Sequence, residues 1–441
     1  MRQLESGREG AFAVADALPG RLLPGERAFS YLSRAAQRRL TIDPAGRKQL
    51  VLRPGEFEGY LRLGRADREI YLNALALSAD GVGRLLESGR GLLPLGRSGR
   101  SEACHVGYQG TWANREGSVG LEDVAADPAP LLGGLAEGAG AGFTVRSLVV
   151  SEVLSEQFHA DAEGSRGHSM CRGASVTAVV SADEHGISAS ATRHAADLDR
   201  IDAVGLGREL ALTAAAFGPP TGEFTGHTVG FLPAAAAQLL RALTTTVLCH
   251  PIVRAEPLVT AVLDDGRALD GPSGRAFDCE GTPTTAMELV SRDGEQQAIS
   301  TRLNSIVGTA RQPAPVLTGH AVWEAHRHQP QPAATNVTLA PGGVAPDLWS
   351  GEACLVADAR SLGEAELRAG GQLAFRLLAV RAVDGRPTGA YAPIVVEGEA
   401  MDFLAALTGV GETTSYYDGS FAVGGAPLTM NSARLKKGGR P

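Results

Sequence analysis

The chain has 441 residues, enough for two or three domains and a buried core, which excludes a peptide hormone or a small disulfide-stabilised scaffold. Hydrophobic residues make up 44% and charged residues 20%, as in ordinary globular proteins, whereas 56 glycines exceed the usual share of about 7% and indicate many turns. The 41 basic and 49 acidic side chains give a net charge of −8, which argues against nucleic acid as the main partner.

Charge is unevenly distributed along the chain. Residues 1–100 contain 17 basic and 11 acidic side chains, a net charge of +6, and residues 101–441 carry the remaining −14. The basic residues are scattered among Leu and Gly and do not alternate with aromatic residues, so a solvated surface is favoured over a nucleic-acid site. Blocks of opposite charge could also attract each other or a partner subunit.

The cysteines and the first residues bear on the compartment. Five cysteines lie at least 30 residues apart in sequence, which suits separate reduced thiols: Cys104, Cys171, Cys249, Cys279 and Cys354. The first residues lead into no apolar segment, and no run of 18 apolar residues occurs. We therefore expect a soluble cytoplasmic protein.

Composition divides the chain into three predicted parts. Residues 1–26 are rich in Gly, Pro and Arg and predict a flexible N-terminal arm. Residues 27–222 predict a domain with a mixed sheet and helices, and residues 223–441 predict a β-rich C-terminal domain. The helix stop signal at 218–220, Gly-Pro-Pro, marks the boundary between them. The predicted fold class is therefore α+β with two domains.

Predicted strands and helices follow in chain order. Short apolar or alternating runs predict strands at 28–31, 39–42, 49–53, 60–63, 145–150, 169–180 and 187–192, with turns at 43–46 and 183–186. Helices are predicted over 80–87, 202–217 and 233–248, the last an amphipathic helix with Pro233 at its first position. From residue 258 onwards, short apolar runs alternate with Gly, Pro and Asp turns, which indicates many short strands.

Well-known motifs of nucleotide and hydrolase sites do not occur in the sequence. There is no Gly-x-x-x-x-Gly-Lys loop, no Gly-x-Ser-x-Gly, no Cys-x-x-Cys and no His-Glu-x-x-His. Gly138, Gly140 and Gly142 precede a predicted strand and not a helix. A flexible linker is therefore favoured there over a phosphate-binding loop.

Two polar segments of the second predicted domain could carry chemistry. His320, Glu324, His326 and His328 have side chains suited to zinc, but no long helix presents them, and surface or interface histidines are the favoured interpretation. Residues 277–283 read Phe-Asp-Cys-Glu-Gly-Thr-Pro, in which two carboxylates flank a thiol. These carboxylates could act as a general acid or base if the segment is buried. The favoured interpretation is a structural loop, in which the acids accept hydrogen bonds from nearby backbone amides.

Several segments between residues 145 and 435 form an ordered set: 173–180, 231–233 with its Ala-rich helix, 277–283, 318–320, 335–342 and 421–427. In this order they resemble the TldD/TldE (PmbA) family of zinc peptidase subunits. Residues 1–140 are similar to that family only in their pattern of strands and helices.

The resemblance implies two homologous subunits that enclose a cavity, with zinc in the TldD-type subunit. There the metal is held by His-Glu-x-x-x-His on a helix and by a Cys near the C-terminus, and the Glu can activate a zinc-bound water. In this chain Arg241, Ala242 and Thr246 stand at the His, Glu and His positions, and Ser415 or a neighbour stands at the Cys position. Guanidinium has no free lone pair and Ala no polar group, so the resemblance implies a TldE-like member without catalytic residues or metal ligands.

The leading hypothesis is a TldE/PmbA-like subunit that pairs with a TldD-like subunit as a heterodimeric metallopeptidase or amide hydrolase. The partner would supply zinc and the general base, and this chain would supply cavity wall and dimer surface. Five residues are candidate contacts to a peptide or peptide-like substrate: Asp278, Glu280, Thr318, His320 and Asn336. Polar residues that stabilise turns are an equally open interpretation of these five.

Two other hypotheses stay open. One is a self-sufficient hydrolase that uses His320, Glu324, His326, His328 or Cys279. The other is a non-enzymatic homodimer that binds peptides or acts as a scaffold. Neither nucleic acid nor a membrane is an expected partner.

Overall fold

The computed structural model describes residues 11, 13–14, 16–43, 45–75, 79–98, 107–113, 120–250, 256–300, 305–306, 317–324, 329–362, 371–417, 419 and 421–437. Six α-helices occur among these residues: α1 Ala79–Leu92, α2 Leu121–Ala126, α3 Ala129–Ala139, α4 Ala203–Ala216, α5 Pro233–Cys249 and α6 Ala400–Ala406. None of these helices combines the length and the apolarity needed to cross a membrane.

The first half of the described chain contributes ten strands: β1 Glu26–Ile42, β2 Lys48–Arg53, β3 Glu58–Arg65, β4 Arg68–Leu75, β5 Arg97–Ser98, β6 Gly110–Ala113, β7 Phe143–Asp161, β8 Arg166–Ala182, β9 Ser188–Ala195 and β10 Pro220–Gly222. Ten more follow up to residue 361: β11 Thr228–Phe231, β12 Val262–Asp265, β13 Ala286–Val290, β14 Ile299–Ser300, β15 Ser305–Ile306, β16 Ala321–Val322, β17 Gln331–Pro332, β18 Asn336–Leu339, β19 Gly342–Gly343 and β20 Glu352–Ser361. The last eight are β21 Gln372–Val383, β22 Arg386–Tyr391, β23 Ile394–Glu399, β24 Leu407–Val410, β25 Ser415–Tyr417, β26 Ala422–Gly425, β27 Leu428–Asn431 and β28 Lys436–Lys437. The predicted α+β class is confirmed.

Two large sheets organise these strands. The first runs in the order β13-β12-β18-β26-β25-β9-β8-β7-β1-β3-β4-β5, with β2 beside β1 and β6 beside β8. The second runs in the order β10-β22-β21-β20-β11-β27-β24-β19, with β23 beside β21 and β28 beside β23. Helix α5 packs between them, against β20 of the second sheet and β26 of the first.

The long antiparallel strands β1, β7 and β8 form the centre of the first sheet. Their side chains alternate between two faces, and on β8 the residues Val176, Ala178 and Val180 are fully buried under α3 and α4. The intervening residues of β8 are smaller or polar, such as Ser175 and Thr177, and are half-buried on the opposite face. This alternation is the pattern that predicted the β8–β9 hairpin from the sequence.

The first sheet crosses the predicted domain boundary at residue 222. Strand β9 lies before that boundary and β25 after it, and the two pair through His194 and Tyr416. In the second sheet β10 pairs with β22 across the same point. The boundary at residue 222 therefore stays a prediction from the sequence. In the structure, strands from the two sides of this boundary pair with each other in both sheets.

Helix α5 has its predicted amphipathic pattern, with a wider buried face than predicted. Pro233 begins it as expected, and Ala235, Ala236 and Thr244 are buried together with the predicted apolar residues Leu239, Leu240, Leu243 and Val247. Because α5 lies between two sheets, it needs apolar contacts on opposite sides. Its high Ala content suits that narrow space.

The predicted glycine linker is wrong at Gly138, which lies inside helix α3. A Cβ atom there would stand 1.9 Å from the carbonyl oxygen of Val204 on α4, and one at Gly207 would stand 2.1 Å from that of Leu135. Glycine therefore permits close packing of α3 on α4, as tight helix contacts require. Gly140, with φ +76°, then ends the helix.

The predicted flexible arm is packed where the structure describes it. Ala11 is 6% exposed, and Val14 and Leu18 are 0% exposed, in a cluster that includes Leu61 and Leu86. Apolar residues three and four positions apart place these three side chains on one face of a helical segment. The Gly, Pro and Arg content concealed that spacing.

A buried carboxylate links the first sheet to helices α4 and α5. Glu209 on α4, which is 1% exposed, accepts a hydrogen bond from Arg193 Nη2 at 2.7 Å and one from the Ala234 backbone N–H at 2.6 Å. The Tyr417 hydroxyl on β25 donates to Glu209 Oε2 at 3.2 Å. Because Ala234 lies in the first turn of α5, the carboxylate also faces the positive end of that helix dipole.

Replacement of Arg193 by Met removes the charged partner and leaves a buried carboxylate. We expect R193M to lower the free energy of unfolding by about 3–5 kcal/mol, the usual cost of breaking a buried ion pair. Urea unfolding followed by circular dichroism measures this loss. The control R381M breaks the exposed Arg381–Glu352 pair and should change stability by less than about 1 kcal/mol. Equal effects of the two variants would contradict the assignment.

Candidate functional site

The first polar cluster of the candidate site surrounds Asp264 on β12. Its carboxylate accepts hydrogen bonds from the backbone N–H groups of Thr335, at 3.0 and 3.1 Å, and of Asn336, at 2.9 Å. His320 Nε2 lies 3.3 Å from Asp264 Oδ2, and His320 Nδ1 lies 2.7 Å from the Thr318 carbonyl oxygen. Burial lowers the pKa of His320 although Asp264 opposes this effect, so the ring is neutral near pH 7.

Asn336 and Thr318 are occupied by backbone groups of neighbouring loops. Asn336 donates through Nδ2 to the Asp265 carbonyl oxygen at 2.9 Å and accepts from the Ser273 N–H at 3.0 Å. The Thr318 hydroxyl donates to the Ser300 carbonyl oxygen at 3.2 Å and accepts from the Ser300 N–H at 3.0 Å. Both side chains therefore fix loop conformation.

Asp278 closes the loop at 277–283 on itself. Its Oδ1 accepts from the backbone N–H groups of Glu280 and Thr282, both at 2.9 Å, and its Oδ2 accepts from the Ala321 N–H at 3.0 Å. Burial nevertheless raises the pKa of Asp278 to about 6, while these N–H groups and Arg275 act in the opposite direction. The burial that acid or base chemistry would require is therefore present at Asp278, but the carboxyl group is enclosed by its own loop.

Cys279 and Glu280 lie on the same loop and are fully buried. Burial raises the pKa of the Cys279 thiol well above its usual range, and the neighbouring carboxylates of Asp278 and Glu280 add to the effect. A thiol held neutral is a poor nucleophile, since the thiolate is the reactive form. This geometry weighs against Cys279 as the nucleophile of a self-sufficient hydrolase.

Arg275, two residues before this loop, is buried, and two of its three side-chain nitrogens lack a hydrogen-bond acceptor in the described part of the chain. Its side chain is 8% exposed, and neither Nε nor Nη2 has a hydrogen-bond partner there. Its charge lowers the pKa of both Asp278 and His320, which places it between the two polar clusters. A buried guanidinium without acceptors is costly and uncommon.

The loop at 277–283 docks on strands β1, β3 and β7 of the first sheet. The Tyr60 hydroxyl donates to the Cys279 carbonyl oxygen at 2.8 Å, and the Tyr108 N–H donates to the Gly281 carbonyl oxygen at 2.9 Å. The His159 ring packs edge-on against Phe277, with 4.6 Å between ring centroids. His159 Nε2 lies 2.8 Å from the Tyr108 carbonyl oxygen, and burial lowers the pKa of His159 to about 4.

Arg241 stands on α5 where the resemblance places the first zinc-binding His. Its Nη2 donates to the Tyr417 carbonyl oxygen at 2.8 Å and lies 3.5 Å from that of Phe421. The guanidinium thus lies between α5 and the described residues Tyr417, Gly419 and Phe421. Ala242, the next residue, is half-buried, and Thr246 is buried one turn further along.

The side chains of this region do not fit a zinc ion. Arg241 offers only donors and a fixed positive charge, and Ala242 offers no polar atom. Among the residues that the structure describes, no three His, Cys, Asp or Glu side chains converge on one point. Glu324 is exposed, and His326 and His328, which the hydrolase hypothesis also used, lie outside the described residues, as does Cys104.

Sequence reasoning missed Asp264, Arg275 and His159. Asp264 could have been noticed, because a carboxylate at an inward position of the strand 262–265 breaks the apolar alternation. Arg275 and His159 carry no comparable local signal. Their burial comes from the docking of the loop on a sheet more than a hundred residues away in sequence.

Comparison with known proteins supports the resemblance for the second half of the chain. Residues 255–433 match the sequence profile of the PmbA/TldA metallopeptidase C-terminal domain. No curated protein is similar enough to this chain to count as a match. The resemblance to the TldD/TldE (PmbA) family is thereby confirmed.

Solved structures share the fold over almost the whole chain. TldE from Thermococcus kodakarensis is 14% identical, with a TM-score of 0.69, over 93% of this chain and 96% of that one. A protein from Thermotoga maritima named as a candidate modulator of DNA gyrase is 14% identical, with a TM-score of 0.67, over 97% and 99%. A similarly named protein from Bacteroides thetaiotaomicron is 13% identical, with a TM-score of 0.63, over 97% and 99%. At these identities the likeness concerns the fold.

The buried His159 should make stability depend on pH. Its folded pKa of about 4 lies below the ordinary value of 6.5, so only the unfolded chain takes up the proton in that interval. Stability is therefore complete above about pH 6.5 and falls as pH drops towards 4, by about 3 kcal/mol in total. We expect H159Q to remove this part of the loss in urea unfolding measured at several pH values. A pH profile identical to wild type, or an equal change in the exposed-site control H185Q, would contradict the prediction.

The incompletely hydrogen-bonded guanidinium of Arg275 should lower the free energy of unfolding. We expect R275M to raise the free energy of unfolding by about 1 kcal/mol, because Met fills a similar volume without a buried charge. R193M is the matched control, since it removes an equally buried Arg that has a carboxylate partner. A loss of stability in R275M as large as that in R193M would show that Arg275 is paired in solution.

Proposed function

We propose that this chain, which belongs to the TldD/PmbA family through its C-terminal domain, is the TldE-like subunit of a two-subunit peptidase or amide hydrolase. A TldD-like partner supplies zinc and the general base. This chain supplies part of the cavity wall and the surface that the partner contacts. The family profile supports the metallopeptidase class, and the TldE fold supports the choice of subunit.

The observation that carries the proposal is the position of Arg241. A guanidinium at the first ligand position of the zinc helix repels a cation and has no lone pair to offer it. Its hydrogen bond to the Tyr417 carbonyl oxygen, at 2.8 Å, joins α5 to the segment in which the other metal ligand would stand. The arginine thus joins α5 to the segment at Tyr417 by a hydrogen bond, in place of the zinc ion that would bridge them in a TldD-like subunit.

The five candidate contacts take a positioning role in this proposal. Asp278, Glu280, His320 and Asn336 are each no more than 1% exposed, and Thr318 is half-buried. Asp278 and Asn336 already form hydrogen bonds with backbone groups, so few of their donor and acceptor atoms remain free to bind a substrate. They shape the loops of the cavity wall, and substrate contact falls to backbone groups and to the partner subunit.

The proposed complex acts on peptides that can enter an enclosed cavity. Such a cavity admits unfolded peptides or small peptide-like molecules, including precursors of modified natural products, and excludes folded proteins. The positive charge of residues 1–100 and the negative charge of the remainder provide complementary surfaces for association, and salt should weaken the complex.

Co-expression with a TldD-like protein that carries His-Glu-x-x-x-His tests this proposal. We expect the two chains to copurify as a complex with zinc and peptide-hydrolysing activity, and this chain purified alone to contain no stoichiometric zinc and no activity. Elemental analysis by mass spectrometry and a peptide library digested by each sample give the two readouts.

The controls separate the competing hypotheses. Replacement of the partner's motif Glu should abolish hydrolysis without loss of the complex, because that Glu activates the water and does not hold the subunits together. Stoichiometric zinc or hydrolysis by this chain alone would favour the self-sufficient hydrolase. A stable homodimer that ignores the TldD-like protein would favour the scaffold.

A further inference from the structure

The two unpaired nitrogens of Arg275 lie on one edge of its buried guanidinium. Nε and Nη2 have no hydrogen-bond partner in the described part of the chain. The N–H bonds of these two atoms are parallel, and this edge of a guanidinium binds a carboxylate through two hydrogen bonds. The buried Arg193 donates from Nη2 to Glu209 at 2.7 Å. Arg275 has the same donor chemistry without such an acceptor among the described residues.

Asp278 is an acid close enough to feel the charge of Arg275, and it is held by other donors. Both of its oxygens accept hydrogen bonds from backbone N–H groups, two of its own loop and one of Ala321. An ion pair with Arg275 would bring the pKa of Asp278 below its ordinary value of 3.8, whereas burial raises it to about 6. The guanidinium therefore acts on Asp278 through space, and its donor edge stays available.

The segment 272–276 carries Arg275 across the face of the first sheet that lies opposite α3 and α4. Pro272 lies 4.0 Å from the position of a Cβ atom on Gly173 of β8, and the Ala276 N–H donates to the Ser169 hydroxyl at 3.1 Å. The charge of Arg275 opposes the rise that burial causes in the pKa of Tyr31 on β1. The guanidinium therefore lies over the strands between β8 and β1.

Gln157 on β7 supplies a buried acceptor on the same face. It stands opposite Ser169 of β8 and Ser33 of β1 in the two ladders, and residues that are opposite each other share a face. Its Oε1 is buried and has no hydrogen-bond partner in the described part of the chain. Two N–H donors and one carbonyl oxygen therefore lie between the segment 272–276 and the sheet. An N-acyl amino acid carries the complementary groups, since its carboxylate and its N–H stand on the same α-carbon.

We propose that Arg275 and Gln157 form a binding site for an N-acyl amino acid, such as the C-terminal residue of a peptide. Arg275 donates from Nε and Nη2 to the carboxylate, and Gln157 Oε1 accepts from the N–H of the same residue. The ligand supplies the acceptors that a buried guanidinium requires, so binding offsets the cost of burying its charge. The site belongs to this chain alone and does not depend on the proposed peptidase role.

Four small probes test the site on the full chain by ligand-observed NMR titration. The first is acetyl-Gly-Ala with a free carboxylate, which we expect to bind with a Kd of about 1 mM. Its C-terminal amide should bind roughly tenfold more weakly, because the charge-assisted hydrogen bonds are lost. Acetyl-Gly-sarcosine keeps the carboxylate but lacks the N–H, and should bind several-fold more weakly. Acetyl-Asp-Ala amide carries its carboxylate on a side chain, and binding as tight as that of the first probe would overturn the choice of a C-terminal residue.

Three variants assign the binding to these two residues. R275M should weaken binding of the free acid roughly tenfold or more, and R275K about fivefold, since Lys keeps the charge without the paired donors. Q157L should bind the Ala and sarcosine probes equally, because the acceptor for the N–H is gone. R381M is the control, since it removes an exposed arginine and should leave binding unchanged.

Circular dichroism checks that each variant is folded, and R275K and Q157L decide the question if R275M is not. Equal binding of the free acid and its amide, no binding of the free acid by the wild-type chain, or binding that survives both Arg275 substitutions would overturn the proposal. In those cases buried water satisfies the guanidinium.

Discussion

The architecture depends on one buried carboxylate. Glu209 on α4 binds Arg193 of β9, the first turn of α5 and the hydroxyl of Tyr417 on β25, so a single charged group connects the first sheet to helices α4 and α5. A carboxylate can accept several hydrogen bonds at once, which an apolar residue at this junction could not do. Helix α5 is Ala-rich, and its first turn is held by this carboxylate through the Ala234 N–H.

The same use of buried polar groups recurs in the C-terminal domain. Asp264 and Asp278 each bind three or more donors, and most of these are backbone N–H groups in loops or at the first residue of a short strand. Loops of this kind have few ladder hydrogen bonds, and their amides must be satisfied by side chains when they are buried. Arg241 on α5 follows the same logic, because its guanidinium lies within 2.8 Å of the Tyr417 carbonyl oxygen and 3.5 Å of that of Phe421. The domain keeps its loop geometry by hydrogen bonding.

Local sequence patterns predicted those strands and helices whose formation depends on side-chain alternation, caps and stop signals within the segment itself. The long strand β8 follows from alternation, and α4 follows from its Asp202 cap and the Gly-Pro-Pro stop signal. Helix α3 was missed because Gly138 reads as a linker, and only the facing carbonyl on α4 explains it. The polar segment at 277–283 was located from its composition, but its burial depends on a sheet that lies far away in sequence.

The pairing of His194 with Tyr416 has a consequence for the independence of the two halves of this chain. A fragment that begins near residue 223 would retain β25 and β26 but lose the strand that covers the free side of β25. The remaining edge would carry unpaired backbone groups and the buried tyrosines of that strand, which is a recognised route to aggregation. The two halves therefore meet in one sheet, and a cut at the predicted boundary would expose an edge that the intact chain covers.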